Sequence, residues 1–198
     1  MQTYRLNAAQ DNATGDYRQV GYVNVGDVAS RITQIWLLAA IVFVTAFAFY
    51  RLARDFGRLP ADFRIGWPEA VLGFVVFLAT IALQEWMHVV VLRRHGARPE
   101  FGLFRHNAIA YISMRGYGVR RNTLILAALT PLVLLTVISL LGIWLFQGTA
   151  WVALFALIAV INLAASTSDV WVIALLLRYP SGAWAVDDED GMRILMPM

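Results

Sequence analysis

Cysteine and lysine are both absent from this chain of 198 residues, and all 16 of its basic residues are arginine. Without cysteine, disulfide bonds and thiolate metal sites are excluded, and nothing in the composition indicates a redox compartment. Charge is also scarce. Only 15% of the residues are charged, whereas an ordinary soluble domain has about 25%. The net charge of +3 is better explained by orientation in a membrane than by binding to nucleic acid, so no nucleic-acid partner is expected.

Apolar residues, in contrast, are abundant. They make up 60% of the chain, and the mean hydropathy is +0.63. This apolar content exceeds what one soluble core of this length can bury, which predicts residence in a lipid bilayer. The first 30 residues are polar and mixed in character, so no cleavable signal peptide is expected. The chain contains no internal repeat.

Four apolar runs reach the length of about 18–20 residues that a helix needs to cross the hydrocarbon core. They extend over about residues 33–50, 68–92, 123–146 and 151–177. Backbone inside hydrocarbon must satisfy its own hydrogen bonds, so these runs are predicted to be helices. Pro131 lies inside the third run, where a kink is tolerated.

The distribution of arginine predicts the orientation of these helices. Four spans would place only Arg51, Arg54, Arg58 and Arg64 on one side of the membrane, and the other 12 of the 16 arginines on the opposite side. The positive-inside rule then assigns both termini and the loop 93–122 to the cytoplasm, with the protein in the inner (cytoplasmic) cell membrane.

The resulting fold class is an α-helical integral membrane protein with about four transmembrane helices. We expect a polar cytoplasmic segment at 1–30, a four-helix transmembrane domain at 31–179 and a cytoplasmic tail at 180–198. Within the loop 93–122, the runs EFGLF and AIAYISM favour a small cytoplasmic β-hairpin or sheet between helices 2 and 3, punctuated by Gly102, His106–Asn107 and Gly116–Gly118. The alternative is an interfacial loop anchored by its aromatic residues. The acidic run at 186–190 is expected to be a solvated patch.

Two clusters of polar residues interrupt the apolar runs. Gln84, Glu85 and His88 lie in the second run, and the fourth run contains Asn162, Ser166, Thr167, Ser168 and Asp169. An ionisable side chain in a span costs roughly 2.5–3.5 kcal/mol on insertion scales, so it usually has a partner, a cavity or a metal. Gln84 and His88 are four residues apart and therefore share one helix face.

The two clusters are predicted to lie at a similar depth. Gln84 precedes Arg93 by nine residues and Asp169 precedes Arg178 by nine residues, which is about 13 Å along a helix in each case. If the two helices are neighbours, Asp169 reaches the level of the Gln84–His88 face. An imidazole and a carboxylate that converge in this way would suit zinc.

The cluster of Gln84, Glu85 and His88 also resembles a catalytic motif. In H-E-x-x-H, two histidines one turn apart bind zinc, and the glutamate acts as general base. Here the pattern is Q-E-W-M-H, with Gln84 at the position of the first histidine.

The segment QEWMHVVVLRRHGARPEFG resembles the H-E-x-x-H region of a family of small bacterial membrane proteins described as zincin peptidases of unknown function. These are similar in layout to site-2-protease-type intramembrane zinc metalloproteases. RRNTLILAALTPLVLL resembles the entry to the next helix of that family, with its proline. NLAASTSDVWVIALLLRYP resembles the helix that supplies an aspartate ligand. The resemblance covers about residues 68–190.

The resemblance implies zinc as cofactor, with His88 and Asp169 as metal ligands, Gln84 at the first ligand position and Glu85 as general acid and base. It also implies a transmembrane or membrane-proximal peptide substrate that adds to a strand edge of the cytoplasmic loop. A glutamine amide is a poor zinc ligand beside imidazole. The chain is therefore expected to be a weakened or inactive metalloendopeptidase, either as a natural variant or through a substitution that traps an inactive form.

Other interpretations remain open. The same fold could bind a membrane protein or peptide without catalysis, or Glu85, His88 and Asp169 could form a proton relay in a small transport protein, although the absence of a repeat argues against the common transporter architectures. Asn162 suits either helix packing or contact with a substrate or oxyanion. His95 and His106 are interpreted as loop residues. The lipid bilayer is the expected partner, and no pattern indicates an oligomeric state.

Overall fold

The computed structural model describes the backbone of residues 3–4, 7–8, 17–24, 28–60, 62–97, 99–105, 108–113, 117–188 and 191–198. His106, Asn107 and Gly116, which the sequence analysis names in the loop 93–122, lie outside the described residues. The chain divides into two compact units. The sheet unit comprises Met1–Thr33, Met87–Ala128 and Val170–Met198, and the helical unit comprises Gln34–Trp86 and Leu129–Asp169.

Long helices form where the sequence has long apolar runs. Helix α1 covers Val28–Arg51 and continues as a π-helical turn at Leu52–Phe56, α2 covers Trp67–Arg94, α3 covers Arg121–Leu145, α4 covers Trp151–Ala165 and α5 covers Thr167–Leu176. In the part of the chain that is described, three helices are long and apolar enough to cross a membrane, or four if α4 and α5 count as one bent span. The predicted helices are therefore confirmed in approximate position, and three to four of them could span a membrane.

The fourth predicted run is broken rather than continuous. Helices α4 and α5 meet at Ser166 with a bend of 41°. Two hydroxyls near the break bond back to helix carbonyls: Thr167 Oγ1 donates to Leu163 O at 3.4 Å, and Ser168 Oγ donates to Ala165 O at 3.4 Å. Side-chain bonds of this kind compete with the backbone ladder and bend helices. The Ser-Thr-Ser sequence therefore accounts locally for the break.

The predicted hairpin between the second and third helices is confirmed. Strands β4 (Glu100–Arg105) and β5 (Ala108–Ser113) pair in antiparallel fashion, with Phe101 opposite Ile112. Two short runs rich in aromatic and β-branched residues, separated by residues that favour turns, are typical of this arrangement.

A second, larger sheet lies in the sheet unit, and the sequence analysis did not anticipate it. Its strands are β1 (Thr3–Tyr4), β2 (Asn7–Ala8), β3 (Tyr17–Asn24), β6 (Tyr117–Arg120), β7 (Trp184–Asp188) and β8 (Gly191–Pro197), in the order β1-β3-β8-β7-β6-β2. All neighbours are antiparallel except β2 and β6. Segments near both ends of the chain thus share one sheet, and the acidic run begins inside strand β7.

Strand β8 buries side chains on both faces of this sheet. The adjacent β8 residues Ile194 and Leu195 are 0% and 1% exposed, and they belong to different core clusters. Leu195 packs with Tyr17 and Trp184, whereas Ile194 packs with a cluster that includes Leu92 of α2. Successive side chains of a strand point to opposite faces, so the core of the sheet unit has two layers around β8.

The helical unit has its own core, formed by Phe49, Ala53, Ile143, Val152, Ala156 and Ala159. Its small residues allow helices to approach closely. A Cβ atom added at Gly142 in α3 would collide with the ring of Phe155 in α4. Outside this core, large apolar side chains are exposed on the helices, among them Trp36, Phe43, Phe74, Trp144 and Trp151.

Candidate functional site

Gln84 is buried in the middle of helix α2, with only 3% of its surface exposed. Its Nε2 donates a hydrogen bond of 2.9 Å to Oγ of Ser166, the fully buried residue at which α4 gives way to α5. Its Oε1 has no hydrogen-bond partner among the described residues. Within the helical unit, the side chain at the first ligand position is therefore held against the helix break by one end of its amide.

Asp169 and Glu85 also belong to the helical unit. Asp169 lies in the first turn of α5, three residues after Ser166, and is half-buried. The Gln84–Ser166 bond thus brings the motif residue next to the segment that leads into Asp169. Glu85 follows Gln84 on α2 and is half-buried as well. Both residues take part in interactions within the protein.

His88 lies one turn after Gln84 on α2 and falls in the sheet unit. Its Nδ1 is 2.9 Å from the carbonyl oxygen of Ala127 in α3. A carbonyl oxygen can only accept, so Nδ1 must carry the hydrogen, and in the neutral ring the lone pair is then on Nε2. This is the arrangement usual for metal-binding histidines, whose second ring nitrogen donates to a carbonyl or carboxylate.

Asn162 is fully buried in α4 and contacts α3. Its Nδ2 donates to Leu132 O and to Thr136 Oγ1, both at 3.2 Å. The NH₂ group has two hydrogens, so both are engaged by α3. These contacts favour the interpretation of Asn162 as a packing residue.

The other histidine among the described residues is His95. His95 follows α2 and bonds to its own helix, with Nδ1 2.9 Å from Val91 O. Among the described residues, no three side chains of His, Cys, Asp and Glu form a group that could hold a metal ion. Ser166 belongs to the polar cluster that the sequence analysis places in the fourth run, whereas the carbonyl of Ala127 was missed from the sequence. The sequence signal for this carbonyl is the proline that follows Ala127 by four residues.

Comparison with known proteins bears on this region directly. Residues 77–184, more than half of the chain, match the family described as "Putative zincin peptidase". The chain belongs to this family. No curated protein and no solved structure matches it. The matched segment includes the Q-E-W-M-H motif, the β4–β5 hairpin, helices α3 and α4, and Asp169.

Zincins depend on zinc, so the candidate ligand atoms of this chain can be compared with the ligands that zinc prefers. The imidazole of His88 is protonated on Nδ1, which suits coordination through Nε2. The buried Oε1 of Gln84, without a partner among the described residues, is an oxygen that can accept a cation or a hydrogen. Asp169 offers a carboxylate. The donor chemistry fits zinc, with one neutral amide oxygen where the zincin motif has a stronger imidazole ligand.

Proposed function

We propose that this protein is a membrane-embedded zinc metallopeptidase of the zincin family, with activity reduced or lost because Gln84 replaces the first motif histidine. The observation that carries the proposal is the side chain of Gln84, buried at the motif position and bonded to Ser166 next to the segment that bears Asp169. The large apolar side chains exposed on long helices support residence in a bilayer, since soluble proteins rarely expose such surfaces.

In this proposal, His88 and Asp169 hold zinc, and Gln84 contributes a weak third ligand through Oε1. When bound, zinc supplies Lewis acidity for hydrolysis of a peptide bond. Glu85 takes a proton from the attacking water and passes it to the leaving amine nitrogen. An extended transmembrane or membrane-proximal peptide would be held by pairing with an edge of the β4–β5 hairpin.

A second candidate is a non-catalytic member that binds a membrane protein or peptide. It is favoured by the same hydrogen bond. The amide group of Gln84 is already committed to Ser166 through Nε2, and a buried polar contact of this kind holds two helices together without a metal.

Zinc binding by the purified protein and by Gln84→His tests the proposal. With the second imidazole restored, Gln84→His should bind zinc at least about tenfold more tightly than the parent, a difference of about 1.4 kcal/mol. The variant should also cleave membrane peptides, and a further Glu85→Gln change should abolish cleavage without abolishing zinc binding. His95→Gln is the matched control, because His95 bonds to its own helix and its loss should leave zinc affinity unchanged.

Two results would contradict the proposal. A Gln84→His protein that is folded but binds no zinc would overturn the metal centre. Cleavage by the unaltered chain at the rate of Gln84→His would overturn the reduced activity, and it would also rule out the non-catalytic candidate if Glu85→Gln abolished it.

A further inference from the structure

Pro131 leaves a buried carbonyl without its usual helix donor. In an α-helix, each backbone N–H donates to the carbonyl four residues earlier, and proline has no N–H. Pro131 lies within helix α3, so the residue that loses its helix donor is Ala127. Ala127 is only 3% exposed, and Pro131 is also buried. Because an unpaired buried carbonyl is costly, another donor should supply this bond.

His88 supplies that donor. Its Nδ1 lies 2.9 Å from Ala127 O, a normal distance for an N–H···O hydrogen bond. We infer that Pro131 is a positioning residue for His88: by withholding the backbone donor from Ala127 O, it stabilises the tautomer of His88 with hydrogen on Nδ1 and the lone pair on Nε2. The identity of the group that Nε2 then binds rests on the proposed function, whereas the tautomer does not.

His95 shows what a histidine does at a carbonyl that keeps its helix donor. Val91 O accepts the backbone N–H of His95 at 3.2 Å, an N–H that it shares with Leu92 O at 3.1 Å, and Val91 O also lies 2.9 Å from Nδ1 of His95. A helix carbonyl can therefore serve two donors, since it has two lone pairs. Restoring an N–H at position 131 should accordingly weaken the bond from His88 rather than abolish it.

The test is nitrogen NMR of the protein labelled with ¹⁵N in its histidine rings, without metal and in alkaline buffer where imidazole is neutral. The chain has only three histidines, so His88→Gln assigns the His88 signals by their loss. In the parent, the His88 shifts should report hydrogen on Nδ1. In Pro131→Ala, the ratio of this tautomer to the Nε2–H tautomer should fall by about twofold or more, but by less than the about fivefold that complete loss of a bond worth about 1 kcal/mol would give.

Two controls separate this effect from loss of packing. Leu135→Ala removes a buried side chain one turn further along α3 but leaves the donor to Ala127 O unchanged, so the His88 ratio should stay at the parent value. His95 is an internal reference whose shifts should not respond to Pro131→Ala. Folding of that variant is expected, because alanine is a far better helix residue than proline.

A parent protein with His88 protonated on Nε2, or a ratio unchanged in Pro131→Ala, would overturn the inference. The proposed function is judged separately, by zinc binding of Gln84→His. If the tautomer responds and no zinc binds, the role of Pro131 stands and the metallopeptidase proposal fails. If zinc binds and the tautomer does not respond, the metallopeptidase proposal stands and the role of Pro131 fails.

Discussion

At the scale of single residues, Gln84 combines a satisfied donor with an unsatisfied acceptor. The bond from Nε2 to Ser166 is worth about 1 kcal/mol, whereas a buried oxygen without a partner costs about 1–3 kcal/mol. The second effect is at least as large as the first. Retention of a polar side chain at a cost in stability is typical of functional positions.

These magnitudes predict the stability of Gln84→Leu, which has a similar volume and no polar atoms. Its free energy of unfolding in detergent, measured without metal by denaturant titration, should lie within about 2 kcal/mol of that of the parent, because removal of the unpaired Oε1 offsets the lost bond and the unpaired hydroxyl left on Ser166. Gln84→Ala is the control, since it loses the same polar atoms and leaves a cavity, and should be about 2 kcal/mol less stable than Gln84→Leu. A Gln84→Leu protein less stable than the parent by more than about 3 kcal/mol would mean that Oε1 has a partner.

At the scale of elements, the packing of α3 against α4 depends on one close approach. Gly142 leaves room for the ring of Phe155, and a methyl group there would collide with it. Phe155 also stacks on Phe146, with ring centroids 5.5 Å apart, so it has little freedom to move aside. Small residues that allow two backbones to approach are typical of helix pairs in membranes.

Gly142→Ala should therefore lower the free energy of unfolding by about 1–3 kcal/mol, the usual cost of overpacking. Gly73→Ala in α2 is the matched control. Its added methyl would meet Leu157 Cδ2 at an ordinary contact distance of 3.6 Å, so stability should stay the same or rise by up to about 1 kcal/mol through helix propensity. Thermal unfolding of both variants in the same detergent makes the comparison. Equal stability of the two would show that Phe155 moves aside without cost.

At the scale of the whole molecule, the unequal distribution of arginine between the predicted sides is the basis for the orientation that we propose in the bilayer, with both termini in the cytoplasm. The absence of cysteine makes this testable without background labelling. Thr149 lies in the short connection between α3 and α4, and Ser181 lies between α5 and β7. Both are exposed.

A membrane-impermeant maleimide should label Thr149→Cys in intact cells, and it should label Ser181→Cys only after the membrane is permeabilised. The cysteine-free parent is the control and should remain unlabelled in both conditions. Labelling of Ser181→Cys but not Thr149→Cys in intact cells would reverse the proposed orientation, and equal labelling of both in intact cells would contradict a membrane between them.

The sequence alone determined the positions of the long helices and the β4–β5 hairpin, because hydropathy over about 20 residues and short runs of aromatic and β-branched residues are local properties. It also determined which residue types occupy the zincin motif. Only the tertiary structure decided how distant segments meet. Strand β3 pairs with β8 from the other end of the chain, with Tyr17 opposite Pro197.

The same division holds at the candidate site. The partner of Gln84 is 82 residues away in sequence, and the partner of His88 is a backbone carbonyl 39 residues away. No side-chain pattern marks a carbonyl as an acceptor, and a hydrogen bond between separate helices forms only once packing has placed donor and acceptor at about 3 Å. The Q-E-W-M-H pattern is visible in the sequence, whereas only the packing of the helices decided that Gln84 Nε2 bonds to Ser166 and that His88 Nδ1 bonds to Ala127 O.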